Sequence, residues 1–414
     1  MVLKISRLEI LRDRRFGPFM LGYATSALGT SMASVALAFA VLQERGSPAD
    51  LSYVLAARLV PLVLFLIVGG VLGDRFSRRA VMLYADILRA SAQGAIAVAF
   101  FVGRPSLALL MVLAALSGLG EAAFMPSFNA LLPSLLPPDR LVDGNAMRGL
   151  AQSVSTVAGP ALAGVLITVT SPATILLVDA ITYLPSIVVL LLLRIDERPR
   201  TPSTMLQDLR DGWHVFWSYP WLWTVTLQFT LFNLLVWGPY LVLGPTSAER
   251  YYQGAGTWGV VLALYGAGSV VGGLLILGRR WDRPLVVTTL VSFLWAAPSA
   301  AFALRLPLPV LGAAALLAGI ASAVFNGLWL TTVQQRVPQE AMSRVMAYIT
   351  FGAYSVGPAG MALAGPVSQA VGIAPVLVTG VVWQVLATSV VLTLPAIRAV
   401  RRPETPAEEP LVRA

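Results

Sequence analysis

Cysteine is absent from the 414 residues, which excludes disulfides, thiolate zinc sites and thiol nucleophiles and leaves the redox compartment unread. Histidine occurs once, as His214 in a polar stretch, so no histidine-based metal cluster can form. Lysine also occurs once, as Lys4, and there is no Gly-x-x-x-x-Gly-Lys nucleotide loop. No clustered catalytic constellation is visible, so neither enzyme chemistry nor a cofactor or metal is expected. Charge is scarce too, at 12% of residues, where a soluble domain carries about 25%. What fills the chain is apolar: 57% of the side chains are hydrophobic and mean hydropathy is +0.77. The net charge of +9 could suggest nucleic acid, but the basic residues are rationed among separate loops, so lipid is the expected partner instead.

Twelve apolar stretches are long enough to cross a hydrocarbon core of about 30 Å. They lie near 17–43, 51–73, 80–102, 106–132, 145–169, 173–193, 221–245, 256–278, 285–304, 308–333, 345–370 and 373–396. Backbone polar groups in lipid must pair within their own segment, so these are expected to be helices. The first stretch follows a basic segment but is too long for the core of a signal peptide and lacks a small-residue cleavage site.

Basic residues orient the spans. With the N-terminus taken as cytoplasmic, 23 of the 29 basic residues fall on that side. Only Arg45, Arg104, Arg250 and Arg305 fall on the other, while Arg58 and Arg89 lie inside spans. The bias alternates loop by loop and places both termini in the cytoplasm.

One long polar connection, residues 195–220, divides the spans six and six. The expected organisation is a six-helix bundle over 1–194, a linker over 195–220, a second bundle over 221–398 and a tail over 399–414. Two segments about 200 residues apart echo each other: "LLPPDRLVDGNAMRGLAQSVSTVAGPALAG" (135–164) and "QRVPQEAMSRVMAYITFGAYSVGPAGMALAG" (335–365). Parallel repeats of six spans are a transporter architecture with a substrate site near mid-membrane.

The stretch "GGVLGDRFSRR" between the second and third spans puts Asp74, Arg75, Arg78 and Arg79 in a short cytoplasmic turn. With Gly70 it resembles motif A of the major facilitator superfamily, departing from it at Ser77, where the family usually has Gly. Gly159, Pro160 and Gly164 resemble the fifth-span Gly-Pro signature of its drug–proton antiporters. The first 190 residues, from "RDRRFGPFMLGYATSALG" to "MPSFNALLPSLLPPDRLVDGNAM", are most similar to the branch of macrolide-efflux and enterobactin-exporter proteins. The resemblance implies an all-α integral membrane fold: twelve transmembrane helices in two pseudo-symmetric six-helix bundles, working by alternating access. Motif A would then act as a latch whose ion pairs bias one arrangement of the bundles. A plain topogenic turn would need only the arginines, and Asp74 is what favours the latch.

Charge inside the membrane is confined to the first half: Arg58, Asp86, Arg89, Glu121 and Asp179. Each carboxylate there needs a partner, a watery cavity or a proton. Glu121 sits near the middle of the fourth span, which in the superfamily lines the cavity, and is the sharpest candidate for proton coupling. A fixed ion pair is its alternative reading. Asp179 and Arg58 have similar depths, so a structural pair is expected, with proton coupling the alternative. Asp86 and Arg89 are spaced i, i+3 and are expected to pair on one helix face in support of motif A.

All ten tryptophans occur from Trp213 onward. Trp221, Trp223 and Trp258 sit at span ends, where an interfacial belt is expected. On the seventh span Phe229, Asn233, Trp237 and Tyr240 share one helix face, and Asn326 and Trp329 make a similar pair on the tenth. The superfamily faces both spans to the cavity, so these six are substrate-cavity candidates, with ordinary helix packing the rival reading. The leading expectation is a proton-coupled exporter of an amphiphilic organic compound such as an antibiotic or siderophore, monomeric and in a bacterial cytoplasmic membrane. An uptake symporter, a lipid flippase and a non-transporting sensor or scaffold are the alternatives.

Overall fold

The computed structural model describes residues 10–401 apart from 73–76, 138–139, 194–212, 278, 280 and 339–340. The helices run α1 Phe16–Arg45, α2 Pro48–Leu72, α3 Arg78–Val102, α4 Leu107–Leu131, α5 Leu141–Val169 and α6 Pro172–Leu192. They continue as α7 Pro220–Tyr251, α8 Ala255–Ile276, α9 Pro284–Ala303, α10 Leu308–Arg336, α11 Met342–Tyr354 with Gly357–Val371, and α12 Ile373–Thr393. Among the described residues there is no strand.

Among the described residues, eleven helices are long and apolar enough to cross a membrane. The twelfth apolar stretch, expected as one helix over 345–370, is instead α11, in two pieces of 13 and 15 residues. The break has a local cause. Pro358 has no N–H to give the carbonyl of Tyr354, so the ladder lapses just where the second piece begins at Gly357. The matching Gly159-Pro160 lies inside an unbroken α5, so the two repeats share the dipeptide without sharing its effect.

Two other spans depart from a plain α-helix. α7 contains a π-helical turn, Asn233–Trp237, and α9 a 3-10 turn, Ser292–Ala296. In the π turn the N–H of Gly238 reaches the Asn233 carbonyl, five residues back. Glycines pack against the displaced backbone: a Cβ on Gly360 would lie 2.5 Å from the Leu234 carbonyl oxygen, and one on Gly380 2.5 Å from that of Leu235. Side chains at these two positions of α11 and α12 would collide with the bulge, so the π turn fits only against glycine there.

Short side chains start the helices. Ser77, Ser106 and Ser171 accept the N–H of Ala80, Leu109 and Thr174 at 3.3, 3.3 and 3.2 Å, capping α3, α4 and α6. Ser77 therefore does useful work where the family usually has Gly, and its φ of −56° needs no glycine. Before α1, Asp13 accepts the N–H of Arg15 and Phe16, both at 2.8 Å. Those two bonds, that of Phe16 first, hold its carboxyl below the usual carboxylate range. The cap is thus in place above the ordinary carboxylate pKa and is lost only as pH falls through the depressed value. Asp13→Ala is expected to cost about 0.5 kcal/mol, the low end for an exposed cap. Faster hydrogen exchange confined to the first turn of α1 would register it.

Helices α1 to α6 pack on one another: α1 on α5 and α6, α2 on α4, and α3 on α4 and α6. Contacts across to the last six run mainly through α2 with α11 and α5 with α8. Both seams lie toward the end that holds the α1–α2 and α7–α8 turns. There the Gly365 N–H donates to Ser52 Oγ at 2.7 Å and Gln369 Nε2 to Ser47 Oγ at 3.1 Å. At the α5–α8 seam a Cβ on Gly259 would lie 2.6 Å from the Pro160 carbonyl oxygen, and one on Gly164 3.1 Å from the Gly259 Cα. Gly159 is pressed in the same way against Ser31 of α1. The Gly-Pro signature is therefore a crossing point at which α5 meets two helices without side chains between them.

The described end of the linker, 213–218, is helical, and Trp213 and Phe216 pack on Tyr348 of α11, with centroids 5.3 and 6.0 Å away. The expected tryptophan belt is corrected in part. Trp258 is 2% exposed, with its ring 5.2 Å from Tyr240, and Trp221 is 6% exposed against Trp329. Both lie inside the protein, because their helices turn those faces toward neighbours instead of lipid.

Candidate functional site

The intramembrane charges of the first six helices form one cluster with two ion pairs. Arg58 Nη2 of α2 lies 3.0 Å from Glu121 Oε2 of α4, and Arg89 Nη1 lies 3.3 Å from Asp86 Oδ1 on α3. The first pair follows from backbone contact. Gly118 brings α4 so close that a Cβ there would lie 1.9 Å from the Arg58 carbonyl oxygen, and Glu121 follows nearly one turn later on the same face. The second is the expected i, i+3 pair, and it is embedded: Ser186 Oγ donates to Asp86 Oδ2 at 2.6 Å and Arg89 Nη2 to Thr30 Oγ1 at 3.2 Å. The Arg89 guanidinium also sits 4.5 Å from the centre of the Tyr183 ring and 5.4 Å from that of Phe124. Thr30, Tyr183 and Ser186 escaped the sequence reading because hydroxyl residues are common in spans and only their proximity to charge marks them.

The expected pairing of Asp179 with Arg58 is wrong. Asp179 lies on α6, which packs on α1 and α3, whereas Arg58 lies on α2, which packs on α4. Asp179 instead faces the α1 backbone at Gly29, where a Cβ would lie 2.7 Å from its Oδ1. It is 2% exposed, its carboxylate is approached by Thr182 Oγ1 at 3.5 Å, and it makes no ion pair among the described residues.

The last six helices hold no comparable cluster among the described residues but enclose two adjoining cavities. One, of about 180 Å³, is lined by Phe229, Asn233, Trp237 and Tyr240 of α7 and Asn326 of α10, together with Tyr265 of α8 and Trp295 and Ser299 of α9. The other, of about 250 Å³, is lined by Trp329, Phe325, Met346 and Ile349 and shares Phe229, Asn326 and Tyr354 with the first. The six aromatic and amide residues singled out in the sequence thus all line one or other cavity. Tyr265 and Trp295 were missed; Trp295 gave one usable signal, a tryptophan in mid-span where no interfacial belt explains it. A separate neutral cluster, in which Thr388 Oγ1 accepts from Gln228 and Gln384 Nε2 at 3.1 Å each, ties α7 to α12.

Of motif A, Asp74 and Arg75 lie outside the described residues and Gly70 falls near the end of α2. Arg79 is placed: its Nε and Nη2 donate to the carbonyls of Leu190 and Leu191 at 2.5 and 2.9 Å, capping the C-terminus of α6. Arg78 opens α3.

Residues 19–361 match the Major Facilitator Superfamily, most of the chain and both sets of helices. The chain belongs to this superfamily. It is 28% identical to the multidrug efflux pump Tap of Mycobacterium tuberculosis, over 94% of this chain and 96% of that protein. It is 24% identical to macrolide efflux protein A of Streptococcus pyogenes, over 66% of this chain and 69% of that one. Among solved structures, a bacterial homologue of the iron transporter ferroportin in its inward-facing state matches with a TM-score of 0.71 at 17% identity, covering 92% of this chain and 98% of that one. That likeness concerns the fold. Family membership makes the chain a transporter and not an enzyme, and its relatives are efflux pumps.

Proposed function

We propose that this superfamily member exports amphiphilic organic compounds in exchange for protons. Its two sets of six helices alternate about the space between them, in a cytoplasmic membrane with both termini inside. One observation carries the reading: ionisable groups are gathered in the first six helices, with Asp86, Arg89 and Asp179 buried and Arg58 and Glu121 half-buried, while an aromatic cavity with few polar handles lies in the last six. Such a division separates a proton site from an organic-compound site, and alternation of the halves couples them. The efflux relatives support the direction of transport. With the charge bias of the loops, the sealed seams at Gly365 and Gly259 are the extracytoplasmic gate.

Purified protein in proteoliposomes tests this, with erythromycin as a macrolide probe and ethidium as a cationic one under an imposed proton gradient. Uptake of either probe with stoichiometric counter-movement of protons is expected. Movement of probe with no response to the gradient would leave an exporter without proton coupling, and movement of neither would defeat the reading.

A further inference from the structure

The cavity of about 180 Å³ between α7, α8, α9 and α10 carries two polar groups that the fold leaves unmatched. The Tyr240 hydroxyl and the Trp295 Nε1–H are both buried, on side chains 3% and 6% exposed, and neither has a hydrogen-bond partner among the described residues; neither atom is open to the cavity as it stands, so an occupant meets one of them only as its ring turns. Burying a donor without a partner costs about 1–3 kcal/mol, so two around one cavity are hard to explain by packing. Three other lining side chains donate within the fold: Asn233 Nδ2 to the Phe229 carbonyl at 2.9 Å, Asn326 Nδ2 to the Ser322 carbonyl at 2.8 Å, and the Tyr265 hydroxyl to Ser322 Oγ at 2.8 Å.

Indole N–H only donates, and the phenol can donate. No charged side chain lines the cavity. The walls are rings: Trp295 stands 4.4 Å from Phe232 and 5.7 Å from Phe229, and Tyr240 stands 5.6 Å from Trp237, centroid to centroid. We infer that this cavity is a binding subsite for an uncharged aromatic group bearing an acceptor oxygen, such as a carbonyl, which receives the Trp295 N–H or the Tyr240 O–H. The π turn of α7 helps build it by bringing Asn233 and Trp237 to the same cavity as Phe229 and Tyr240.

The inference rests on the cavity of the export reading but on binding alone, so its test needs no gradient. Benzophenone and diphenylmethane share two rings and differ in carbonyl against methylene. Their equilibrium binding to the protein in lipid nanodiscs, with empty nanodiscs as reference, is the measurement. Saturable binding with benzophenone favoured about three- to tenfold is expected, the range of one net hydrogen bond. Tyr240→Phe removes only the hydroxyl and Trp295→Phe leaves an aromatic ring without the N–H, and at least one should erase the preference between the two compounds, read as a ratio whatever the substitution does to the affinity they share. Equal binding of both compounds by the unaltered protein, no saturable binding, or a preference that survives both substitutions would each overturn the inference. Binding as expected with no gradient-driven transport would instead defeat the export reading and leave this one standing.

Discussion

Asp179→Asn is expected to abolish proton-driven accumulation of substrate while leaving the amount of folded protein close to normal. The other two intramembrane acids of the first six helices, Asp86 buried and Glu121 half-buried, are held in place. Glu121 is matched by Arg58 at 3.0 Å, and Asp86 by Arg89 at 3.3 Å and Ser186 at 2.6 Å. Asp179 has a threonine hydroxyl and no guanidinium within ion-pair distance. A proton on Asp179 and a rearranged ion pair with Arg89, whose guanidinium already lies 4.5 Å from the centre of the Tyr183 ring one turn along α6, are alternative ways to neutralise it. That exchange is what a coupling site requires, because the proton then prefers one helix arrangement over the other. Asparagine keeps the shape and removes the titration. Glu121→Gln has a different expected outcome: the half-buried Arg58 loses its counter-ion, so folded protein falls. Substrate-induced proton release in proteoliposomes at equal protein density, read beside thermal melting, separates the two. Full coupling in Asp179→Asn would return the role to Glu121, and then to Asp86.

This reordering marks the limit of what was legible in the sequence. Helix number, the arginine bias and the concentration of buried charge in the first half follow from hydropathy and desolvation, which act residue by residue. The Asp86 and Arg89 pair was legible for the same reason, since i, i+3 spacing on one helix fixes their separation at 3.3 Å without reference to any other helix. Pairing between helices was not. Arg58 and Asp179 match in depth, yet depth says nothing about azimuth, and the deciding residues were Gly118 and Gly29, whose missing side chains bring α4 to Arg58 and α1 to Asp179. The seventh-span aromatics were found from an ideal period even though a π turn lies among them, while Trp295 enters the cavity from α9 next to a 3-10 turn that no period reports.

Gly365→Leu is expected to cut transport about fivefold or more by disfavouring the sealed seam between α2 and α11. A Cβ at Gly365 would lie 2.3 Å from the Pro48 carbonyl oxygen and 2.5 Å from the Ala49 Cα. Both neighbours are backbone, so no rotamer change relieves the clash, and α2 and α11 must part. Separation also breaks the bond from the Gly365 N–H to Ser52 Oγ. Overpacking of this kind costs typically about 1–3 kcal/mol, and 1.4 kcal/mol is a tenfold change in a conformational equilibrium, so the sealed state should fall about five- to more than a hundredfold relative to one open at this end. Folding itself should survive, because an arrangement open here no longer makes the contact. The absence of native cysteine makes the measurement direct: spin labels on Glu44→Cys and Val371→Cys, near the α1–α2 turn and the end of α11, report the seam alone. Their distance distribution should shift to longer values in Gly365→Leu and lose its dependence on substrate. Gly365→Ala, which adds only the Cβ, should give a smaller shift in the same direction. Unchanged distances with normal flux in the leucine variant would mean that the seam yields locally and is not a gate.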